Sequence, residues 1–169
     1  MDQPGRRRAR GGGFHGGASR LAEPRQSQVL TLYMLDTDIC SYLMREHPAA
    51  VLRAMEKQVE AGEDICISVI TYSELRLGAA RSQARAKYDG LIDALSDRLD
   101  FIADWSTKEA DRFADVQSHL LGQGAPIGAN DTMIAAHALS LGAVLVTNNQ
   151  RHFSKIEELV LENWLDQSD

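Results

Sequence analysis

A short apolar run gives way to two acids in the stretch Val29-Leu-Thr-Leu-Tyr-Met-Leu-Asp-Thr-Asp38. A largely apolar run of this length, bounded by polar residues, is typical of a strand that is buried on both faces of a parallel sheet. Asp36 follows the run directly, and the short oxygen-bearing side chains of this stretch can cap a helix that begins there. The stretch therefore predicts a buried strand with a carboxylate held at its carboxyl end.

The rest of the chain alternates between strand-like and helix-like segments. Further strands are predicted over residues 64–68, 101–102, 143–147 and 159–161. Helices are predicted over residues 39–45, 48–61, 69–82, 84–99, 106–121 and 130–141, with a short helical stretch near 153–158. Strands that alternate with helices imply a parallel sheet covered by helices on both faces. We therefore predict an α/β, three-layer fold with a central parallel sheet of four or five strands.

The charge is distributed unevenly along the chain. Residues 1–29 carry six arginines, Asp2 and Glu23, a balance of +4, so the remaining residues carry -10. Residues 1–28 are rich in glycine and arginine and have few apolar residues, which predicts a disordered basic tail. This tail is either an arm that binds RNA or sequence upstream of the true translation start, near Val29 or Met34. We expect a single domain over residues 29–169.

Several classes of protein are disfavoured by composition. Cys40 and Cys66 lie in apolar contexts and are expected to be free and buried, because no cysteine or histidine spacing resembles a zinc site. No apolar run approaches the ~18 residues that a membrane-spanning helix needs, so a cytoplasmic protein is expected. His137 is expected to be packed in an apolar helix, and His119 and His152 have no ligand-like spacing. The acidic body is not an obvious nucleic-acid binder, because phosphates attract positive surfaces.

Three acids stand out as candidates for chemistry, and each also has a plain structural explanation. Asp36 could be only a helix cap, Glu74 an exposed helix acid, and Asp131 a partner of its helix dipole. Ligands of parallel sheets bind beyond the carboxyl ends of the strands, where Asp36 and Thr147 are both expected. If the three acids converge there, their repulsion requires a divalent cation such as Mg²⁺ or Mn²⁺. Such ions activate water for hydrolysis of phosphodiesters.

Four stretches of the chain resemble the PIN-domain family, specifically the VapC-type toxins of bacterial type II toxin–antitoxin systems. The resemblance covers about residues 32–166, with the motifs in the family's order and spacing. The matching stretches are Tyr33-Met-Leu-Asp-Thr-Asp-Ile-Cys-Ser-Tyr42, Ile67-Ser-Val-Ile-Thr-Tyr-Ser-Glu-Leu-Arg-Leu-Gly78, Pro126-Ile-Gly-Ala-Asn-Asp-Thr-Met-Ile-Ala-Ala-His-Ala138 and Val144-Leu-Val-Thr-Asn-Asn149.

The resemblance implies a PIN fold and an endoribonuclease that depends on Mg²⁺, for which Mn²⁺ can substitute. It implies that Asp36, Glu74 and Asp131 are the catalytic acids and the metal ligands. Asn149 occupies the neighbourhood of a fourth acid that many members have, so a single metal ion is expected. The supporting residues on this interpretation are Asp38, Thr37, Thr147 and Asn149.

The resemblance also implies partners. The expected substrate is RNA, with tRNA and in particular the initiator tRNA as the expected target, and cleavage would block translation. A homodimer neutralised by a VapB-like antitoxin is expected. The RNA backbone must then be held outside the acidic cleft, and the candidate basic residues are Arg45, Arg76, Arg81, Arg85, Lys87 and Arg151.

Two alternatives remain open at the level of sequence. Asp36-Thr-Asp38 after a strand is similar to the nucleophile motif of haloacid-dehalogenase-like phosphatases, in which Asp36 would attack phosphate and Asp38 would act as the acid. That interpretation leaves Glu74 without a role and finds no convincing downstream lysine. The second alternative is a non-catalytic PIN-like module that binds RNA or a partner, which the neutral Asn149 would allow.

Overall fold

A computed structural model of the protein describes residues 30–165, in which five strands form one parallel sheet in the order β3-β2-β1-β4-β5. The predicted tail over residues 1–28 lies outside the described residues. The strands are β1 (Leu32–Leu35), β2 (Asp64–Ser68), β3 (Phe101–Ala103), β4 (Val144–Val146) and β5 (Leu161–Glu162). The helices are α1 (Thr37–Arg45), α2 (Ala49–Ala61), α3 (Val69–Ala80), α4 (Arg85–Ser96), α5 (Thr107–Gly122), α6 (Ala129–Leu141) and α7 (Gln150–Phe153).

The central strand β1 is covered on both faces, which confirms the predicted three-layer α/β fold. Tyr33 and Leu35 belong to a hydrophobic core shared with α1, α2, α3 and α4. Met34 points the other way, into a second core shared with α5 and α6. This alternation is the ordinary period of a strand, and the absence of a solvated face explains why the whole run is apolar.

The register of the sheet brings the ends of three strands to one edge. Leu35 pairs with Ile67 of β2 and with Val146 of β4. Asp36 follows β1, Thr147 follows β4, and Ser68 is the last residue of β2, so the three lie at the same edge. The Asp36 amide donates to the Val146 carbonyl at 2.9 Å. This edge is the place where parallel sheets bind ligands.

Helix ends occur close to the predicted positions, because local chemistry determines them. Ser68 caps α3 through its hydroxyl, which accepts from the Ile70 amide at 3.0 Å. Gly62 and Gly142 end α2 and α6 in the left-handed conformation that glycine adopts readily. Pro48 was predicted to open α2 in its first turn, but it lies one residue earlier, at the cap position.

The prediction was less accurate after β4. The short helix predicted near 153–158 is α7, over Gln150–Phe153, because the chain turns at once and buries Phe153 completely. The last strand is Leu161–Glu162 and not 159–161, since the amides of Leu145 and Thr147 bond to residues 160 and 162. Three large apolar side chains of the helices are exposed, namely Val59, Tyr88 and Leu121.

The structure can be compared with the expectations about the two cysteines and about membrane-spanning helices. Cys40 and Cys66 are free and buried, as predicted. Burial raises the pKa of the Cys66 thiol to about 12, so the thiol is unreactive at neutral pH. None of the helices within residues 30–165 has the length and apolar character required to cross a bilayer.

Candidate active site

Asp36 lies at the centre of the carboxyl edge of the sheet, between the end of β1 and the start of α1. Its side chain caps α1, accepting from the Thr37 amide at 2.8 Å, and it accepts from the Thr147 hydroxyl at 2.8 Å. The residue is only 6% exposed. Burial, together with the negative charges of Asp38 and Asp131, raises the pKa of Asp36 to about 7, although the two hydrogen bonds lower it.

Asp38 connects the first turn of α1 to the loop that follows β4. Its carboxylate accepts from the Ile39 amide at 2.6 Å and from the Asn148 amide at 3.0 Å. Burial raises the pKa of Asp38, and the charge of Asp131 also raises it. Asp38 therefore adds negative charge beside Asp36 and also fixes the loop that carries Asn149.

Glu74 projects from α3 and is held through both carboxylate oxygens. One oxygen accepts from the Thr37 hydroxyl at 2.5 Å and the other from the Asn130 side-chain amide at 2.7 Å. Thr37 is adjacent to Asp36, and Asn130 is adjacent to Asp131. These two hydrogen bonds therefore connect the three candidate acids, which lie on separate segments of the chain.

Asp131 lies in the first turn of α6, where its side chain is 29% exposed. Its Oδ2 atom is 3.3 Å from Nδ1 of His152, and the same nitrogen is 2.9 Å from the side-chain amide of Asn149. Sequence reasoning found no role for His152. The available signal was its position three residues after Asn149, in a segment that leaves the carboxyl end of β4.

Gly128 determines how α6 approaches the site. Its φ of 99° and ψ of 152° lie in a region that is almost restricted to glycine. The Gly128 carbonyl accepts from the Thr132 hydroxyl at 2.7 Å and from the Thr132 amide at 3.1 Å, which closes the first turn. This turn carries both Asn130 and Asp131.

The donor set of the site fits a hard divalent cation. Carboxylate, amide and hydroxyl oxygens are the ligands that Mg²⁺ and Mn²⁺ prefer. Within residues 30–165, no lysine or arginine forms an ion pair with Asp36, Asp38, Glu74 or Asp131, so no permanently charged side chain balances the crowded negative charge there. Burial of the carboxylate and repulsion from Asp38 and Asp131 raise the pKa of Asp36, and a bound cation would offset both.

The same residues do not form a closed cage of ligands. Among the residues that the structure describes, no three His, Cys, Asp or Glu side chains come together as a metal-binding group. Mg²⁺ does not require one, because proteins usually hold it through one or two carboxylates, with waters and substrate phosphates completing the shell. Asp36 and Asp131 fit that pattern, and the oxygens of Asp36, like those of Glu74, each keep a second lone pair beside the one hydrogen bond that they accept.

The basic residues predicted to hold RNA differ in their surroundings. Arg76 is engaged within the protein: it pairs with Asp89 at 3.0 Å and with Asp93, and its guanidinium lies over the Tyr72 ring. Arg85 also pairs with Asp89. By contrast, the side chains of Arg45, Arg81 and Arg151 are exposed, and no ion pair involves them within residues 30–165.

Comparison with known proteins identifies the family. The PIN domain model matches residues 33–159. Ribonuclease VapC2 of Rickettsia felis is 37% identical over 133 residues, which are 79% of this chain and 98% of that protein. The tRNA(fMet)-specific endonuclease VapC of Shigella flexneri is 36% identical over 132 residues, 78% of this chain and 97% of that protein.

Solved structures agree with the sequence comparison. VapBC2 from Rickettsia felis, crystallised bound to a DNA fragment from its promoter, is similar with a TM-score of 0.75 and 36% identity, over 79% of this chain and 99% of that one. VapBC-1 from nontypeable Haemophilus influenzae is similar with a TM-score of 0.71 and 34% identity, over 80% and 100%. The chain therefore belongs to the PIN-domain family and is one of its VapC-type members.

Proposed function

We propose that the protein is a metal-dependent endoribonuclease and the toxin of a toxin–antitoxin pair. One observation carries the proposal: hydrogen bonds connect Glu74 to Thr37 and Asn130, the neighbours of Asp36 and Asp131, in a chain that is 37% identical to a ribonuclease over almost all of that protein's length. The haloacid-dehalogenase alternative loses its support, since the chain has the PIN fold. Asp36 is also a poor candidate for a nucleophile, because it is buried and hydrogen bonded.

Each residue of the site would have a separate role in hydrolysis of the phosphodiester. Asp36 and Asp131 would hold a Mg²⁺ ion, for which Mn²⁺ could substitute, and this ion would supply a Lewis acid for the activation of water and the stabilisation of charge on the phosphodiester. Thr147 orients Asp36 through the bond to Oδ2. Thr37 and Asn130 orient Glu74 toward the same edge, where it can accept a proton from the attacking water.

We propose tRNA as the substrate, with the initiator tRNA as the first candidate. The support is the 36% identity to a relative named as a tRNA(fMet)-specific endonuclease. Cleavage of that RNA would block initiation of translation, and the protein would act in the cytoplasm, where translation takes place. Arg45, Arg81 and Arg151 would bind the phosphate backbone beside the acidic cleft.

We propose a VapB-like antitoxin as the protein partner and a homodimer as the assembly of the toxin. Similar chains are crystallised as VapBC. A groove between α1, α3 and α4 begins at Thr37 and Glu74 and continues past the exposed Tyr88. An antitoxin segment with apolar residues and a basic residue at its end would fit this groove and would compensate the negative charge of the site.

Cleavage of RNA by the purified protein tests the proposal. We expect cleavage with Mg²⁺ or Mn²⁺ and none with EDTA, and we expect the initiator tRNA to be cut before elongator tRNAs. Asp36→Asn, Glu74→Gln and Asp131→Asn should each lower kcat at least about a hundredfold. Asp111→Asn, at an exposed acid of α5, is the matched control and should be as active as the wild type.

The other results discriminate between the remaining interpretations. Undiminished cleavage in EDTA would contradict metal dependence, and undiminished cleavage by the three acid variants would contradict the proposed site. RNA binding without cleavage under any metal would favour the non-catalytic module. Release of phosphate from small phosphomonoesters would favour the phosphatase.

A further inference from the structure

His137 is a fully buried polar side chain that the proposed chemistry does not use. It lies in the middle of α6 with none of its surface exposed. Its Nδ1 atom is 2.9 Å from the hydroxyl oxygen of Ser68, which is buried at the end of β2. A buried imidazole is costly unless it is hydrogen bonded, so an apolar residue would serve a purely packing role better. Its partner Ser68 caps the helix that carries Glu74, which indicates a role for His137 in the site.

Ser68 takes part in two hydrogen bonds that join two parts of the site. Its hydroxyl caps α3 by accepting from the Ile70 amide at 3.0 Å, and the same hydroxyl bonds to His137. The helix that Ser68 caps carries Glu74, and the helix that contains His137 carries Asn130 and Asp131. The His137–Ser68 bond therefore fixes the cap residue of α3 to the middle of α6.

A second bond joins the same two helices at the site itself. Asn130 donates to Glu74 at 2.7 Å. Asn130 and His137 are about two helical turns apart and so lie on the same face of α6. One face of α6 thus holds α3 at two points, a buried one at Ser68 and an exposed one at Glu74. Packing of α3 against α1 and α4 holds the helix in the core, and these two bonds set its position relative to α6.

The surroundings of His137 hold its ring in place. Trp105 contacts the ring edge to face, with the ring centres 5.5 Å apart. The other ring nitrogen, Nε2, makes no hydrogen bond of normal geometry, although the Asp104 backbone and the Glu109 carboxylate interact with the ring. The orientation of the imidazole is therefore set by Trp105 and by the bond to Ser68.

We propose that His137 is a positioning residue that acts through Ser68 to hold Glu74 in its bond with Asn130, the residue next to Asp131. This inference rests on the proposed function for its effect on catalysis, but its structural part does not. If the His137–Ser68 bond is lost, α3 should shift relative to α6, and the Asn130–Glu74 bond should weaken. A displacement of about 1 Å in a catalytic group can lower a rate about a hundredfold, so the expected loss in kcat is tenfold to a hundredfold.

The test uses matched variants of the full chain. His137→Leu and Ser68→Ala remove the bond, whereas His137→Asn retains a polar atom at the position of Nδ1. Val51→Ala, at a buried site of α2 remote from both residues, lowers stability without touching the bond. The first readout needs neither metal nor RNA: the NMR signals of the Asn130 side-chain amide report the Asn130–Glu74 bond directly. The second readout is kcat and KM for cleavage, with melting temperature measured alongside.

We expect Ser68→Ala and His137→Leu to shift the Asn130 side-chain signals and to lower kcat while KM for RNA changes less than threefold. His137→Asn should restore both the signals and most of kcat. Val51→Ala should melt at a lower temperature with unchanged signals and kcat. If His137→Leu does not fold, the comparison of Ser68→Ala with His137→Asn still tests the proposed role of His137.

Two results would overturn the inference. One is that Ser68→Ala leaves the Asn130 signals unchanged, and the other is that it behaves like Val51→Ala, with a lower melting temperature and full kcat. Failure of the proposed function has a different signature, because the wild type would then cleave no RNA while the Asn130 signals still responded to Ser68→Ala.

Discussion

The Thr147 hydroxyl donates a hydrogen bond of 2.8 Å to Oδ2 of Asp36, from the end of β4 to the end of β1. The hydroxyl oxygen also accepts from the Asn149 amide at 3.0 Å. One side chain therefore orients the most buried acid of the site and fixes the turn that carries Asn149. Thr147 therefore determines the geometry of the site as well as ending the strand β4.

Replacement of Thr147 by valine should weaken the site without changing its shape. Thr147→Val removes the donor to Asp36 Oδ2 and an acceptor of the Asn149 amide, so we expect the free energy of unfolding to fall by about 1–3 kcal/mol. The pKa of Asp36 should rise further, because the lost bond lowers it. Urea unfolding and NMR titration of the carboxylate check both effects. Thr147→Ser, which retains the hydroxyl, should resemble the wild type in both measurements.

The raised pKa of Asp36 predicts how stability depends on pH in the metal-free protein. Asp36 binds a proton more tightly in the folded state, with a pKa of about 7, than in the unfolded chain, with its ordinary value of 3.8. The free energy of unfolding should therefore fall as the pH rises from about 4 to about 7. Asp36→Asn removes the carboxylate, so this variant should show a flatter profile.

At pH 8 in EDTA, the asparagine variant should be more stable than the wild type by about 2–4 kcal/mol. Urea unfolding at several pH values measures the difference. The prediction is wrong if the two profiles run parallel, or if the wild type is the more stable protein at pH 8. The same variant should lose cleavage, so that stability and activity change in opposite directions.

Gly128 should not tolerate a side chain, although there is space for one. A Cβ atom at this position meets no atom within 4 Å, so the cost of Gly128→Ala comes from the backbone conformation alone. We expect a loss of about 1–3 kcal/mol and a lower kcat, because the first turn of α6 must move. Gly122→Ala, within α5 and equally uncrowded, is the control and should be neutral or slightly stabilising. Equal effects at the two positions would contradict the argument.

The predicted RNA-binding arginines should separate into two groups. Arg45→Ala and Arg81→Ala should raise KM for RNA and reduce its dependence on salt concentration, because each removes a phosphate contact. Arg76→Ala should instead lower stability by about 1 kcal/mol, since Arg76 joins α3 to Asp89 and Asp93 of α4. Cleavage at two salt concentrations, with urea unfolding, distinguishes these outcomes. If KM for RNA depends less on salt concentration in Arg76→Ala than in the wild type, Arg76 also contacts RNA.

Local chemistry made much of the fold and part of the site predictable. Three features depend only on a few neighbouring residues in the sequence. They are the apolar run that ends in Asp36, the hydroxyl cap at Ser68 and the glycine that ends α6. The sequence pattern also assigned Asp36 and Thr147 to the same edge, because carboxyl ends of parallel strands coincide. Convergence with Glu74 could only be supported by the family resemblance, since no periodicity relates residues on separate helices.

The contacts that the sequence could not predict join residues far apart in the chain. Asn130 bonds to Glu74 across 56 positions, and His152 approaches Asp131 across 21. Arg76 was expected to face RNA, but its position on α3 turns it toward α4 and two aspartates there. In each case the tertiary packing selects the partner, and the residue type alone allows several.

The hydrogen bond between Asp36 and Thr147 also has a consequence for the biosynthesis of the protein. The two residues are 111 positions apart, and Asp131 comes late in the sequence as well. A growing polypeptide must therefore emerge from the ribosome beyond β4 before these groups can meet. Incomplete chains, including those from an interrupted round of translation, should be unable to cut RNA, so that only finished molecules require neutralisation.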